Sequence, residues 1–107
     1  MKASCKYARN GHAITNVGNT HVVVSGTRIN DGSTCEVYEI KSDKWEDLPN
    51  LKNGRYYHSS CSFNGEKVFV FCGLCSKTKK YLDSIEFLDF GAQAREWQVF
   101  EIKLKPD

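Results

Sequence analysis

Apolar and polar positions alternate along this chain in short runs broken by turn residues. No stretch carries apolar side chains at the 3.6-residue spacing of a helix face, so the pattern predicts strands and almost no helix. Residues 12–17 (HAITNV) read as a weak first strand, followed by a turn at Gly18 and Asn19. Residues 21–25 (HVVVS) are β-branched and end at Gly26, a strong strand signal. A loop at 27–34, tightest at Asp31 and Gly32, leads to a third strand at 35–40 (CEVYEI). A polar turn at 41–44 leads to a short fourth strand at 45–48 (WEDL). Pro49 ends it, because proline has no N–H to give to a ladder.

A second set follows. Residues 58–63 (HSSCSF) read as a strand, and Asn64 with Gly65 is the favoured pair for a two-residue hairpin turn. Residues 66–72 (EKVFVFC) are the most apolar strand. A loop at 73–80, a strand at 82–90, a turn at 91–95 and a last strand at 96–102 complete the set. Hairpins at short, regular intervals predict an antiparallel, all-β meander.

The two sets are one unit written twice. His12 and His58 stand 46 residues apart, Gly26 and Gly73 47, Glu36 and Glu86 50, and Trp45 and Trp97 52, so the drift is one short insertion per loop. Four short strands at a period near ~50 fit one blade of a propeller. From Arg9 to Ile102 the chain resembles kelch repeats. The residues that carry the resemblance are Ser25-Gly26, Tyr38, Trp45, Leu48-Pro49 and Arg55 in the first unit, and Cys72-Gly73, Trp97 and Phe100 in the second. Departures are visible: Ser25 and Cys72 replace one glycine of each expected pair, Leu88 stands where Tyr38 does, and no proline follows Phe100.

The resemblance implies two four-stranded antiparallel kelch-type blades, a partial β-propeller. Residues 1–11 form a lead-in, 12–52 the first blade, 53–102 the second and 103–107 a tail. Trp45 and Trp97 are expected to wedge between blades, each worth about 3–5 kcal/mol against alanine. The strand-ending Gly26 and Gly73 are expected at positive φ. Glu36 and Glu86 recur as structural acceptors, for a backbone N–H or for Arg55. Propellers have roughly four to eight blades, so two leave open apolar faces. The chain is therefore expected to be a piece of a longer protein, with self-assembly or stacking on another propeller as alternatives.

The kelch resemblance also implies a function, a non-catalytic module that grips a protein or peptide with its loops. These are residues 28–32, 53–57 and 77–81, with Arg55, Tyr56, Tyr57, Arg28, Lys79 and Lys80 as candidate contacts. Arg and Tyr are favoured residues at interface centres. Arg55 serving only to pin the turn is an equal alternative. Substrate adaptors of ubiquitin ligases are the commonest role in the family. The alternatives are cytoskeletal, actin-type binding, and a fragment of a propeller enzyme resembling galactose oxidase.

Composition narrows the partners. The 107 residues carry 15 Lys and Arg against 13 Asp and Glu, a net charge of +2, too balanced to favour nucleic acid or an acidic membrane. There is no apolar run of the length that spans a bilayer and no secretory leader in MKASCKYARNGH. The five cysteines, an odd number, read as free thiols in a reducing compartment, and the cytoplasm is the expected location.

Candidate chemistry adds little. Cys72 and Cys75 form a CxxC, but no second paired set stands at zinc spacing, so a packed thiol and a loop thiol are favoured. His12 and His58 are favoured as packing residues over metal ligands. Ser59, Ser60 and Asp83 make no nucleophile arrangement, and Asn53-Gly54-Arg55 is a turn, not a phosphate loop. Lys77, Lys79, Lys80 and Tyr81 form a small basic loop suited to an acidic peptide, although a plain solvated loop is favoured. No enzyme activity, metal or cofactor is expected.

Overall fold

A computed structural model describes residues 9–90 and 95–101, with only the backbone of Phe100 and Glu101. Cys5, the turn at 91–94 and the tail at 103–107 lie outside the described residues, as does the side chain of Phe100. Within them the protein is all-β, and none of its segments is a helix long and apolar enough to cross a membrane.

The described residues form ten strands in three antiparallel sheets. The first sheet runs β1 (Ala13–Val17), β2 (His21–Ser25), β3 (Cys35–Glu39), β4 (Lys44–Leu48) in simple order. Between the large sheets lies a short strand, β5 (Arg55–Tyr56). The second large sheet is built from β6 (Ser59–Phe63), β7 (Lys67–Phe71), β9 (Ser84–Asp89) and β10 (Gln98–Glu101), also neighbour to neighbour. β8 (Leu74–Cys75) pairs with β5, Arg55 opposite Cys75 and Tyr56 opposite Leu74, and Leu74 also bridges to Tyr81. That small third sheet was not expected. Two-residue strands are too short to show a period of two, so nothing in the local pattern marks them.

The eight expected strands are present, each within two residues or so of its predicted ends. Turn chemistry explains why. Asn64 and Gly65 sit at φ 56° and 66°, the pair of left-handed residues that a tight hairpin needs. Gly26 and Gly73 lie at φ 72° and 83°, so each turns the chain out of its strand where a Cβ would be strained. A Cβ on either would also press on His58, which lies between the two glycines.

Alternation assigns the faces. From the first sheet, Val17, Val23, Cys35, Val37 and Leu48 point at the second; Val68, Val70, Leu88 and Trp97 point back, and Leu51 fills the connection. All ten are buried and form one core. The sheets approach most closely at β1 and β6, where small side chains allow it and the Thr15 and Ser60 hydroxyls bond across the gap. Towards β4 larger groups fill the space. Trp97 is fully buried there, and its indole N–H donates to the Pro49 carbonyl oxygen at 2.8 Å.

Trp45 departs from the expected wedge. It faces away from the second sheet, is only half-buried, and packs its ring against Tyr38 with centroids 5.1 Å apart. Its repeat partner Trp97 points into the core and Trp45 points out of it, because an interface between two sheets uses one face of each.

Candidate interaction surface at the loop end

Three connections meet at one end of the molecule: residues 26–34, 50–58 and 72–83. Backbone bonds weave them together. Thr27 N–H donates to Arg55 O at 3.1 Å, Arg55 N–H to Gly32 O at 3.2 Å, and Ser76 N–H to Gly54 O at 3.1 Å. The Ser76 hydroxyl donates to Thr27 O at 3.1 Å. The chain passes so close at Gly54 that a Cβ would overlap the Asp31 carbonyl oxygen. The loops that the kelch resemblance singled out are therefore one continuous surface.

Arg55 is not on that surface. Its side chain is fully buried, and its guanidinium can donate five hydrogen bonds. All five are spent inside: Nε to Asn53 O, Nη1 to Cys72 O and Ser84 O, and Nη2 to Ser84 Oγ and to Glu86 Oε2 at 2.8 Å. Glu86, equally buried, also accepts the backbone N–H groups of Lys52 at 2.6 Å and Asn53 at 3.0 Å. Arg55 pins the connection and has no donor left for a partner. This corrects its candidacy as a contact residue.

The same device occurs in the first unit. Arg9, 46 residues before Arg55, bonds Gly26 O and Thr34 O at 2.8 Å each and pairs with the buried Glu36 at 3.1 Å. Sequence reasoning placed Arg9 in the lead-in. The signal for it was present, because Arg9 and Arg55 share the spacing of His12 and His58.

Four of the remaining candidates converge. Tyr56 is buried, with the Arg28 guanidinium carbon 5.8 Å from its ring centroid and the Lys79 ammonium at 5.4 Å. Tyr57 meets the same ring edge-on at 4.9 Å. Each cation contributes about 0.5–1 kcal/mol at such exposure. Tyr57 itself is 60% exposed, and Tyr81, at 87%, is the most exposed large hydrophobic residue among the described residues. Tyr57 also adopts φ 53°, a left-handed conformation that costs a bulky residue roughly 1–3 kcal/mol. Asn30, Cys72 and Lys79 in the same loops are left-handed too. Lys80 is exposed, and its described bonds are those of its backbone. The one acidic side chain in the 28–32 loop, Asp31, is exposed and bonded within its own turn: the Ser33 hydroxyl and N–H hold its pKa below the usual range.

His58 lies beneath this layer, its Nε2 2.9 Å from the Ser25 hydroxyl, whereas its repeat partner His12 is exposed. Burial, and then the charges of Arg55 and His12, push the His58 pKa down from 6.5 to about 4. The folded protein thus refuses a proton that the unfolded chain takes up below pH 6.5. Stability is unaffected by this group above that pH and falls between pH 6.5 and 4, by on the order of 3 kcal/mol. Urea unfolding at stepped pH should show this slope, and His58→Asn should remove it; an unchanged slope in the variant would refute the assignment.

Cys72 is exposed and Cys75 half-buried, both free thiols. Bonds from the Thr78 hydroxyl and backbone lower the Cys75 pKa, while burial pushes Cys35 up to about 12. Among the described residues no three His, Cys, Asp or Glu side chains are grouped to hold a metal ion. A scan against protein-family models matches nothing, and neither does a search of the curated proteins.

Proposed function

We propose that this chain is a non-catalytic kelch-repeat protein-binding module, two blades of a larger propeller, whose loop end grips an acidic protein or peptide segment. The reading of the sheets as blades rests on the twofold unit, repeated down to its Arg–Glu pairs. One observation carries the binding reading. Tyr57 is displayed to solvent from a left-handed backbone, on a Tyr56 ring flanked by Arg28 and Lys79 from two other loops. Strained, exposed aromatic residues backed by a rigid scaffold suit an interface centre. Lys79 lies against the Tyr56 ring, and Lys77 and Lys80 are exposed in the same loop, so the loop adds positive charge that favours carboxylates in the partner. An adaptor role, delivering a bound protein to other machinery, fits such a site.

A photocrosslinker placed at Tyr57 in the full protein identifies the partner, whose binding is then titrated. Tyr57→Ala should weaken it about 30-fold, the ~2 kcal/mol of a hot-spot residue. Lys79→Glu should weaken it further and reduce its salt dependence. Wild-type affinity in both variants would overturn the proposal.

A further inference from the structure

The contact between the two sheets is asymmetric, and each half of it recurs on the outer face of the other sheet, where its rim residues are exposed. The first sheet receives with Thr15, Val17, Val23 and Ser25. The strand registers set Ala13 opposite Ser25 as Ser59 stands opposite Phe71, so the structural equivalents of these residues in the second sheet are Cys61, Phe63, Phe69 and Phe71, on that sheet's outer face. Gly26 is thereby matched to Cys72 and not, as the sequence spacing suggested, to Gly73, since Arg9 bonds Gly26 O as Arg55 bonds Cys72 O. Val17 is 3% exposed, and Phe63, its counterpart, is 59% exposed. With Ile85, these outer residues line an apolar groove of about 380 Å³, and the Phe69 ring stacks on Phe71 and Phe87.

At the other end, the second sheet enters the contact with Ser60, Val68 and Phe90. Their equivalents in the first sheet are Ile14, Val22 and Ile40. Ile14 is 60% and Ile40 50% exposed and Val22 is half-buried, while Val24 and Tyr38, which match Val70 and Leu88, are buried on the same face. The operation that carries the first sheet onto the second therefore brings the outer face of a further first sheet onto the phenylalanine face.

We infer that a second copy of this chain docks head to tail, its Ile14, Val22 and Ile40 face on the Phe63, Phe69 and Phe71 face of the first. The internal interface is the template for the contact, which forms whether or not the loop end binds a partner. Such a contact is heterologous, so it leaves one free face of each kind and can repeat, into a ring or an open stack. Four strands of five residues cover only about 300 Å² in plan on each partner, about 600 Å² in total, below the standard size of specific interfaces and in the range of weak encounters. Association is therefore reversible and concentration-dependent.

Sedimentation equilibrium from low to high micromolar concentration tests this directly. The wild-type mass should rise with concentration past that of a dimer. Phe63→Glu blocks the receiving face and Ile14→Glu the entering face; both sites are exposed, so both variants should fold. Each alone should stay monomeric. Mixed in equal amounts, they should form a 1:1 dimer and nothing larger, because each retains the face that the other has lost. If either protein melts differently from wild type, Phe63→Lys and Ile40→Glu replace them. A wild-type mass that stays monomeric would sink the inference. So would a single variant that still self-associates, or a mixture that stays monomeric.

Discussion

Glu86→Ala is expected to lower the free energy of unfolding by about 3–5 kcal/mol, the usual cost of breaking a buried ion pair from one side. The substitution strands the Arg55 guanidinium at full burial. It also removes the acceptor for the Lys52 and Asn53 backbone N–H groups, and each buried donor left unmet costs about 1–3 kcal/mol. Arg55→Met should be similarly costly, because it strands the carboxylate and opens the Cys72 and Ser84 carbonyl oxygens. The double variant Arg55→Met/Glu86→Ala should lose much less than the sum of the two, since neither charge is left alone. It should not regain wild-type stability, because the two backbone donors stay unsatisfied. A domain of this size holds roughly 5–15 kcal/mol in all, so either single change takes a large share. Urea unfolding of the four proteins measures the cycle, and strict additivity would refute the coupling.

The second large effect separates the two tryptophans. Trp97→Ala should cost about 3–5 kcal/mol, the cavity cost of a fully enclosed aromatic, with the bond to Pro49 O lost as well. Trp45→Ala removes a half-buried ring stacked on Tyr38 and should cost clearly less. The sequence alone treats the pair as equal, so thermal melts of the two variants decide between repeat equivalence and actual burial. Equal losses would contradict the packing described above.

Much of the architecture was legible because it is local. Alternation marks strands, Asn64-Gly65 marks a hairpin, and Gly26 and Gly73 mark sharp exits, all within a few residues of the feature itself. What was not legible depends on distant groups. Arg55 stands in a polar turn between Asn53 and Tyr57, where partner contact and pinning of the turn read equally well. Only Glu86, 31 residues later, makes it an interior one. The recurrence of Glu36 and Glu86 in an otherwise apolar strand was the available clue, and Arg9 at the matching spacing completed it. The site shows the same division. The choice of loops and the residues Arg28, Tyr56, Tyr57 and Lys79 follow from position in the repeat. The stacking of two cations against one buried ring depends on how three loops meet, which no single stretch encodes.

The bonds from Lys52 and Asn53 to Glu86 bear on where one building block ends and the next begins. The strand ladders suggest a boundary anywhere between Leu48 and Ser59. The carboxylate draws it more sharply: residues 52–55 are fastened to β9, not to β4, just as Arg9 is fastened to β3. Each block owns the segment that leads into it. During synthesis the connection stays unlatched until Glu86 has emerged, whereas the first block already holds its own Arg9–Glu36 clasp. A transplanted or trimmed second block must therefore start no later than Lys52, carrying the clasp that its own third strand closes.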